Sequence, residues 1–244
     1  MNANFGFGER IEGYDVPVLN EREVRAAAGI LFVFALVSFL NSWLMGNFRL
    51  TRIFVIAFLI DFTIRIFINP RYSPSMILGR FAVNNQAPEW TGAPQKRFAW
   101  AVGWTLAVAM FALIVLNNVV GPINLLVCAT CLTLMFFESA FGICLACKIY
   151  NAISRRQAQY CPGGTCETGE VFTPHPSQKI GAGGTAIVAV FLALIVFVGQ
   201  RWFPAAEKVA AIAPAAAADG KCTPPDWAVA MGHAEMWKLH NNCK

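Results

Sequence analysis

The chain is 244 residues long, with 57% hydrophobic residues, 14% charged residues and a formal net charge of +5. A soluble domain carries charge on roughly a quarter of its residues, so this composition argues against an ordinary soluble globular protein. The apolar residues form long blocks and the sequence has no dense basic run, which predicts an integral membrane protein and argues against nucleic acid as a partner.

The first apolar block, residues 26–45, is long enough to cross a bilayer as a helix. Asn20 is a predicted N-cap, and Glu23 follows it at the spacing of a capping box. A secretory signal is the rival interpretation. The polar lead over residues 1–25 is long for a signal and no small-residue cleavage site follows, so we predict a retained helix. The second block, residues 50–68, ends before Pro70, which cannot continue a helix.

Residues 69–97 form a proline-rich polar connection, in which residues 73–78 predict the start of a short interfacial helix. The third span is predicted from about residue 97 to residue 116. The fourth block, residues 123–150, is unusually long, so we expect part of it to tilt or to emerge into the headgroups, with Gly142 loosening the helix there.

The last part of the chain contains a loop, a fifth span and a tail. A polar, cysteine-containing loop covers residues 151–183, the fifth span covers residues 184–203, and an Ala/Pro linker and small tail cover residues 204–244. The predicted fold class is therefore an all-α membrane protein. It is a polytopic bundle of about five transmembrane helices, with a four-span domain over residues 26–150 and a small C-terminal extramembrane helical tail.

Lysine and arginine counts predict the orientation in the membrane. With five spans, the N-terminus and the connections 69–97 and 148–180 share one face, and that face holds most of the basic residues. We therefore expect a multi-pass protein of the bacterial inner membrane, in contact with the lipid bilayer. Its N-terminal segment and residues 151–183 lie in the cytoplasm, and its tail lies in the periplasm.

Eight cysteines fall into close pairs, and close thiols can form a disulfide, bind a metal or exchange sulfur. Cys144 and Cys147 end the fourth block, and Cys161 and Cys166 flank a turn in the cytoplasmic loop, where a permanent disulfide is not expected. Three interpretations stay open: a redox or sulfur-transfer pair at Cys144 and Cys147, a structural zinc site built from all four, and, for the first pair, plain packing.

The tail pair, Cys222 and Cys243, is predicted to form a structural disulfide outside the cell, worth roughly 3 kcal/mol on the chain-entropy model. The rival is a metal site from His233, Met236, His240 and Cys243, a ligand set that suits copper. The last pair, Cys128 and Cys131, lies within the fourth span, where packing is favoured because a mid-helix disulfide would strain the backbone.

Three ionisable residues inside the predicted spans are functional candidates because buried charge is costly in a bilayer. Asp61 and Arg65 are four residues apart, so we expect a self-neutralised ion pair that holds the bundle together. Glu138 has no local partner. It can join Arg65 across the bundle, stay protonated or relay protons, and its position between Cys131 and Cys144 suits acid–base assistance to a thiol.

Several stretches resemble the bacterial membrane family catalogued as domain of unknown function 4395: NEREVR at 20–25, DFTIR at 61–65, PRYSP at 70–74, KRFA at 96–99 and FFESAFGICLACKIY at 136–150. The resemblance covers about residues 15–150, so the fifth span and the tail are an addition to it. It implies no established activity. It does imply that Asp61 with Arg65, Glu138, and Cys144 with Cys147 belong to a recurring design.

The function predicted from these features is thiol chemistry on the cytoplasmic side of the membrane. Cys144 and Cys147, with Glu138, are the predicted catalytic residues. With Cys161 and Cys166 they would handle reducing equivalents or sulfur, exchanged with a thiol-redox or sulfur-carrier protein. One alternative is a non-catalytic accessory subunit of a larger membrane complex whose tail docks a periplasmic partner. Another is a metal-handling protein. The sequence identifies no cofactor.

Overall fold

A computed structural model describes residues 7–11, 16–154, 180–203, 222–241 and 243, and most of these residues are helical. The helices in chain order are α1 (Glu21–Met45), α2 (Arg49–Thr63), α3 (Pro74–Ala82), α4 (Ala93–Met110), α5 (Pro122–Phe141), α6 (Leu145–Ser154), α7 (Ala182–Trp202), α8 (Asp226–Ala230) and α9 (Ala234–His240). Two of them continue as π-helix, α2 through Ile64–Ile68 and α4 through Phe111–Leu116, and a 3₁₀ turn covers Pro70–Tyr72.

Within the described residues, four helices are long and apolar enough to cross a membrane: Glu21–Met45, Ala93–Leu116, Pro122–Phe141 and Ala182–Trp202. They correspond to the first, third, fourth and fifth predicted spans and indicate a membrane protein. The second predicted span is also helical, but Arg52, Asp61 and Arg65 make it less apolar than the others. The count of five spans stays a prediction.

Helix α1 begins at the predicted cap, five residues before the apolar block. The Asn20 side chain accepts a hydrogen bond from the Arg22 backbone N–H at 3.2 Å and donates one to Glu23 Oε1, also at 3.2 Å. The first bond satisfies a backbone N–H that a helix start leaves without a helical partner, and the second holds the two side chains of the cap together. The helix ends at Gly46, whose left-handed backbone (φ 62°) favours glycine and stops the helix.

The fourth predicted span is shorter than the apolar block suggested. A single helix through residue 150 was wrong, because α5 ends at Phe141 and Gly142 adopts a left-handed conformation (φ 65°). The Gly142 N–H donates to the Glu138 carbonyl at 3.1 Å, which completes a C-terminal cap. The chain then turns and starts α6 at Leu145. The break creates a new helix N-terminus beside the two cysteines.

One end of the bundle carries the C-terminal tail, and we call it the tail end. There the Arg49 Nε at the start of α2 donates to the carbonyl of Phe203, which follows α7. The end of α1 and the α1–α2 connection also contact the tail: the Trp43 ring lies 4.5 Å from the His233 ring, and the Phe48 ring lies 5.9 Å from the Trp227 ring, centroid to centroid. These contacts bring the tail helices against the α1–α2 connection of the membrane domain.

The opposite end, which we call the cysteine end, gathers the chain's N-terminal strand and α3, α6 and the start of α4. Strands β1 (Val18–Asn20) and β2 (Trp90–Gly92) pair in antiparallel register, Leu19 opposite Thr91, and tie the start of α1 to the start of α4. The predicted short helix after Ser73 is α3. It packs so closely on α1 that a Cβ on Gly79 would lie 2.6 Å from the Glu23 carbonyl oxygen.

Candidate thiol site at the cysteine end

The Gly142 break positions Cys144 and Cys147 at the start of α6. Cys144 directly precedes the helix and Cys147 lies in its first turn. Their sulfurs are at disulfide distance, with 5.2 Å between the Cα atoms. The Cys147 backbone N–H points at the Cys144 Sγ, 3.3 Å away. In the reduced state, such a donor at a helix N-terminus stabilises negative charge on the sulfur that it contacts.

Both cysteines are buried, with 5% of Cys144 and 1% of Cys147 exposed. The start of α4 covers them: the Cys147 Sγ lies 3.8 Å from the Gln95 carbonyl oxygen, and Ala99 packs against the pair. The redox and packing interpretations of the pair both stay predictions. The site is thus a small thiol pair closed off by one neighbouring helix.

Beside the cysteines, Lys96 links two glutamates of different helices. Its Nζ lies 2.7 Å from Glu138 Oε1 and 2.8 Å from the Glu21 carboxylate, and only 4% of Lys96 is exposed. Glu138 therefore pairs with Lys96, whereas Arg65 pairs elsewhere. The sequence assigned Lys96 only a role in membrane topology. Lys96 and Glu138 are 42 positions apart, and no local spacing indicates that two such residues are in contact.

The predicted pair of Asp61 and Arg65 is present and has more partners than predicted. Arg65 Nε lies 3.0 Å from Asp61 Oδ2, and both residues are 1% exposed. Ser73 Oγ donates to Asp61 Oδ1 at 2.7 Å, and the Ser75 backbone N–H donates to the same oxygen at 2.9 Å. The serines come from the turn before α3 and its first residues. The pair therefore anchors α3 to α2.

Two more ion pairs complete a polar layer at this end. Arg80 of α3 bonds Glu23 of α1 at 3.1 Å, and Arg22 bonds Glu89 at 2.7 Å. The Arg80–Glu23 pair is buried, whereas the side chains of Arg22 and Glu89 are 29% and 35% exposed. A buried ion pair gives little net stability, because desolvation offsets most of the attraction, but it fixes the relative position of the elements that it joins. The layer holds α1, α3, α4 and α5 around the cysteines in one arrangement.

A cavity opens between this layer and the apolar core. About 50 Å³ of it is available to the centre of a water-sized molecule. Cys144, Cys131, Glu138 and Arg65 line it, together with apolar residues of α1, α2, α4 and α5. The cavity therefore brings Glu138 and Cys144 to one space, as the sequence had suggested, and adds Arg65. Of the two cysteines of the pair, Cys144 lines this cavity.

The other predicted site residues lie elsewhere. Cys128 and Cys131 are unbonded and half-buried, and both pack against apolar side chains. Cys161 and Cys166 lie outside the residues that the structure describes, so the zinc site of four cysteines stays a prediction.

The tail pair, Cys222 and Cys243, is at disulfide distance with 5.6 Å between Cα atoms. His240 Nδ1 lies 2.9 Å from the carbonyl of Met236 on its own helix, while His233 contacts Trp43. Among the described residues, no group of three histidine, cysteine or acidic residues is placed to hold a metal ion. The tail metal site stays a prediction that these contacts do not support.

A family model described as domain of unknown function (DUF4395) matches residues 19–155, more than half of the chain. No curated protein and no solved structure matches it. The match includes every ion pair of the polar layer and the cysteine pair. All five stretches that carry the resemblance contribute a residue to this end of the bundle: Glu21, Asp61, Ser73, Lys96 and Glu138.

Proposed function

The chain belongs to the DUF4395 family, whose function is unknown, and on that premise we propose that it is a membrane thiol-redox protein in which Cys144 and Cys147 cycle between a disulfide and two thiols. The observation that carries the proposal is the geometry of this pair: two sulfurs at disulfide distance at a helix N-terminus, inside the matched region. A donor at a helix N-terminus is one of the environments that favour a reactive thiolate, and a structural disulfide needs none.

The two cysteines have different roles in this proposal. Cys144 is the nucleophile, because it lines the cavity and its sulfur receives the Cys147 N–H. Cys147 faces Gln95 instead and resolves the intermediate by attacking the Cys144 sulfur. Reduction of the disulfide takes up two electrons and two protons. Glu138, held by Lys96 at the cavity wall, is the group that exchanges protons with the thiols.

We also propose a membrane topology for the chain. We assign five crossings, with residues 50–68 as the second, because this helix starts beside Phe203 at the tail end and finishes beside Ser73 at the cysteine end. The excess of basic residues at the cysteine end makes it the cytoplasmic face of a bacterial inner membrane. The proposed cytoplasmic partner is a thiol-redox or sulfur-carrier protein. Within this chain, Cys161 and Cys166 would be the first acceptors of electrons or sulfur from Cys144 and Cys147.

The test is differential alkylation in native membranes. Free thiols are blocked before and after treatment with dithiothreitol or diamide, and the cysteine peptides are quantified by mass spectrometry. We expect Cys144 and Cys147 to change state together and reversibly, while Cys128 and Cys131 in the same helix bundle stay unbonded as internal controls. A pair that neither reagent converts would overturn the proposal.

The accessory-subunit alternative has its own supporting observation. The disulfide-tied tail exposes apolar side chains, including Leu239 at 75% and Val229 at 57%. Such residues on a small tail are available to a partner outside the membrane. Two variants separate this alternative from thiol chemistry. The accessory-subunit alternative is favoured if a double Cys144→Ser, Cys147→Ser variant keeps full function in cells and a Leu239→Glu variant loses it.

A further inference from the structure

The interior of the bundle contains a second group of sulfur-bearing side chains, which the proposed thiol-redox function does not use. Cys128, Cys131 and Met135 of α5 and Met110 of α4 line one cavity. Neither cysteine forms a disulfide. Both methionines are buried, with 4% of Met110 and 7% of Met135 exposed. Two thiols and two thioethers therefore border the same internal space.

Helix spacing brings three of these side chains to one face of α5. Cys128 and Cys131 are three residues apart, and Met135 follows Cys131 after four, so neighbouring Cβ atoms lie about 5–6 Å apart. Two ligands four residues apart on one helix face bind a single ion in the helical zinc motif of metalloproteases. Met110 lines the same cavity from α4, so the four side chains offer donors from two helices.

The rest of the cavity wall is predominantly apolar. Its other polar residues are Ser38 and Thr51, and the Thr51 hydroxyl donates to the Ser38 carbonyl at 3.0 Å. Among the described residues that line the cavity, none carries a carboxylate or an imidazole. Magnesium and calcium prefer oxygen ligands, and thioether sulfur is not among the usual ligands of zinc. Thiolate and thioether sulfur together select Cu(I).

The size of the cavity and the balance of charge also suit a monovalent metal ion. About 50 Å³ is available to the centre of a water-sized molecule, whereas one water needs only about 10–15 Å³ by the same measure. A single ion held by sulfur atoms fits this space without any water ligand. One cysteine thiolate neutralises Cu(I), so the complex brings no net charge into the bundle, where charge is costly.

A neighbouring cavity continues the sulfur-bearing side chains towards the tail end. About 30 Å³ of it is available to the centre of a water-sized molecule. Cys128 and Met110 line this cavity as well as the first one. Met231, which follows α8 in the tail, lines it too. Sulfur-bearing side chains therefore extend from the tail to the middle of α5.

We propose that the two cysteines and two methionines of the first cavity bind one Cu(I) ion, and that the ion reaches them past Met231 from the tail end. The site is independent of redox cycling at Cys144 and Cys147. It also differs from the metal site predicted in the tail, because its ligands belong to α4 and α5. No electron is transferred: the ion binds as Cu(I), and one cysteine loses a proton as the metal–sulfur bond forms.

The experiment measures Cu(I) binding to the full-length protein in detergent without oxygen. The probe is Cu(I) supplied as its bathocuproine disulfonate complex, whose absorbance falls as the protein takes up the metal. The test variants are Met135→Leu and Met110→Leu, which nearly conserve side-chain volume and remove the sulfur. The matched control is Met45→Leu at the end of α1, where 65% of the residue is exposed.

We expect the wild type and Met45→Leu to bind Cu(I) equally, and Met135→Leu and Met110→Leu to bind one ion at least about tenfold more weakly, because even an outer-shell change costs about that much affinity. A Cys128→Ser, Cys131→Ser double variant should retain one ion fewer than the wild type. Met231→Leu should retain the same number of ions but load more slowly.

Equal copper content in the wild type and the double cysteine variant would overturn the site, whatever metal the other thiols hold. Equal affinities in all three methionine-to-leucine variants of the helices would overturn the thioether ligands and the preference for Cu(I). Unchanged loading of Met231→Leu would overturn the approach from the tail end. A failure of the thiol-redox function is distinguishable, because a Cys144–Cys147 pair that no reagent converts leaves these differences in copper binding unchanged.

Discussion

At the scale of single residues, Lys96 is the group on which the polar layer depends most. Replacing it by methionine would leave Glu21 and Glu138 buried beside each other with no cation between them. Breaking a buried ion pair from one side costs about 3–5 kcal/mol. We therefore expect Lys96→Met to lower the thermal unfolding midpoint strongly in detergent.

The matched control is Lys238→Met in the tail, where Lys238 pairs with Glu235 on the surface and 87% of the Glu235 side chain is exposed. An exposed pair of this kind contributes about 0–1 kcal/mol, so the control should unfold close to the wild-type midpoint. A Lys96→Met, Glu138→Gln double variant should recover part of the loss. Equal midpoints for the two single lysine variants would contradict the role given to Lys96.

Single residues also show which side-chain contacts can be predicted from the sequence and which cannot. The pairing of Asp61 with Arg65 was predictable because four residues on a helix bring side chains together. The serines that bond Asp61, and the lysine that bonds Glu138, lie in other elements, so no local spacing encodes them. Ser73 and Lys96 were present in the stretches that resemble the family, but their partners became visible only in three dimensions.

At the scale of elements, Gly142 decides where one helix stops and the next begins. Its positive φ favours glycine, and a side chain there costs roughly 1–2 kcal/mol in the left-handed conformation. An alanine Cβ would also lie 3.1 Å from the Arg25 guanidinium carbon. We expect Gly142→Ala to favour continuation of α5, to place Cys144 and Cys147 inside one helix, where a disulfide strains the backbone, and so to lower the yield of their disulfide on diamide treatment.

The control is Gly183→Ala in α7, where an added Cβ has open space and the backbone is already helical. That change should leave the disulfide yield unaltered. Quantitative mass spectrometry of the alkylated peptides measures both. If Gly142→Ala forms the bond as fully as the wild type, the break at Gly142 is not what brings the cysteines together.

The elements themselves were largely predictable and their ends were not. Long apolar blocks gave four helices at nearly the right places, because only helices satisfy the backbone within lipid. Gly142 was the predicted point of loosening, but a complete end of α5 there was not predicted, because hydropathy runs on through Phe141, Ile143 and Leu145. The strand pair β1–β2 was also not predicted, because a strand of three residues is too short to show an alternating hydrophobic pattern.

At the scale of the whole molecule, two cysteine pairs at disulfide distance lie at different ends of the bundle. We predict that a bond between Cys222 and Cys243 closes a short loop and that its loss destabilises the tail by roughly 3 kcal/mol. We expect Cys222→Ser to make the tail more sensitive to limited proteolysis, while Cys144 and Cys147 keep their redox behaviour. A change in the Cys144–Cys147 redox state caused by this distant substitution would show that the two ends are coupled, contrary to our account.

The account as a whole depends on the reversibility of one bond, and a redox titration of native membranes measures it most directly. Membranes are equilibrated with mixtures of reduced and oxidised dithiothreitol or glutathione, thiols are trapped, and the Cys144–Cys147 peptides are quantified at each potential. We predict one two-electron transition, with a midpoint between about −270 and −120 mV, the range of thiol-disulfide oxidoreductases. A pair that stays bonded below about −300 mV, as structural disulfides do, would contradict the account.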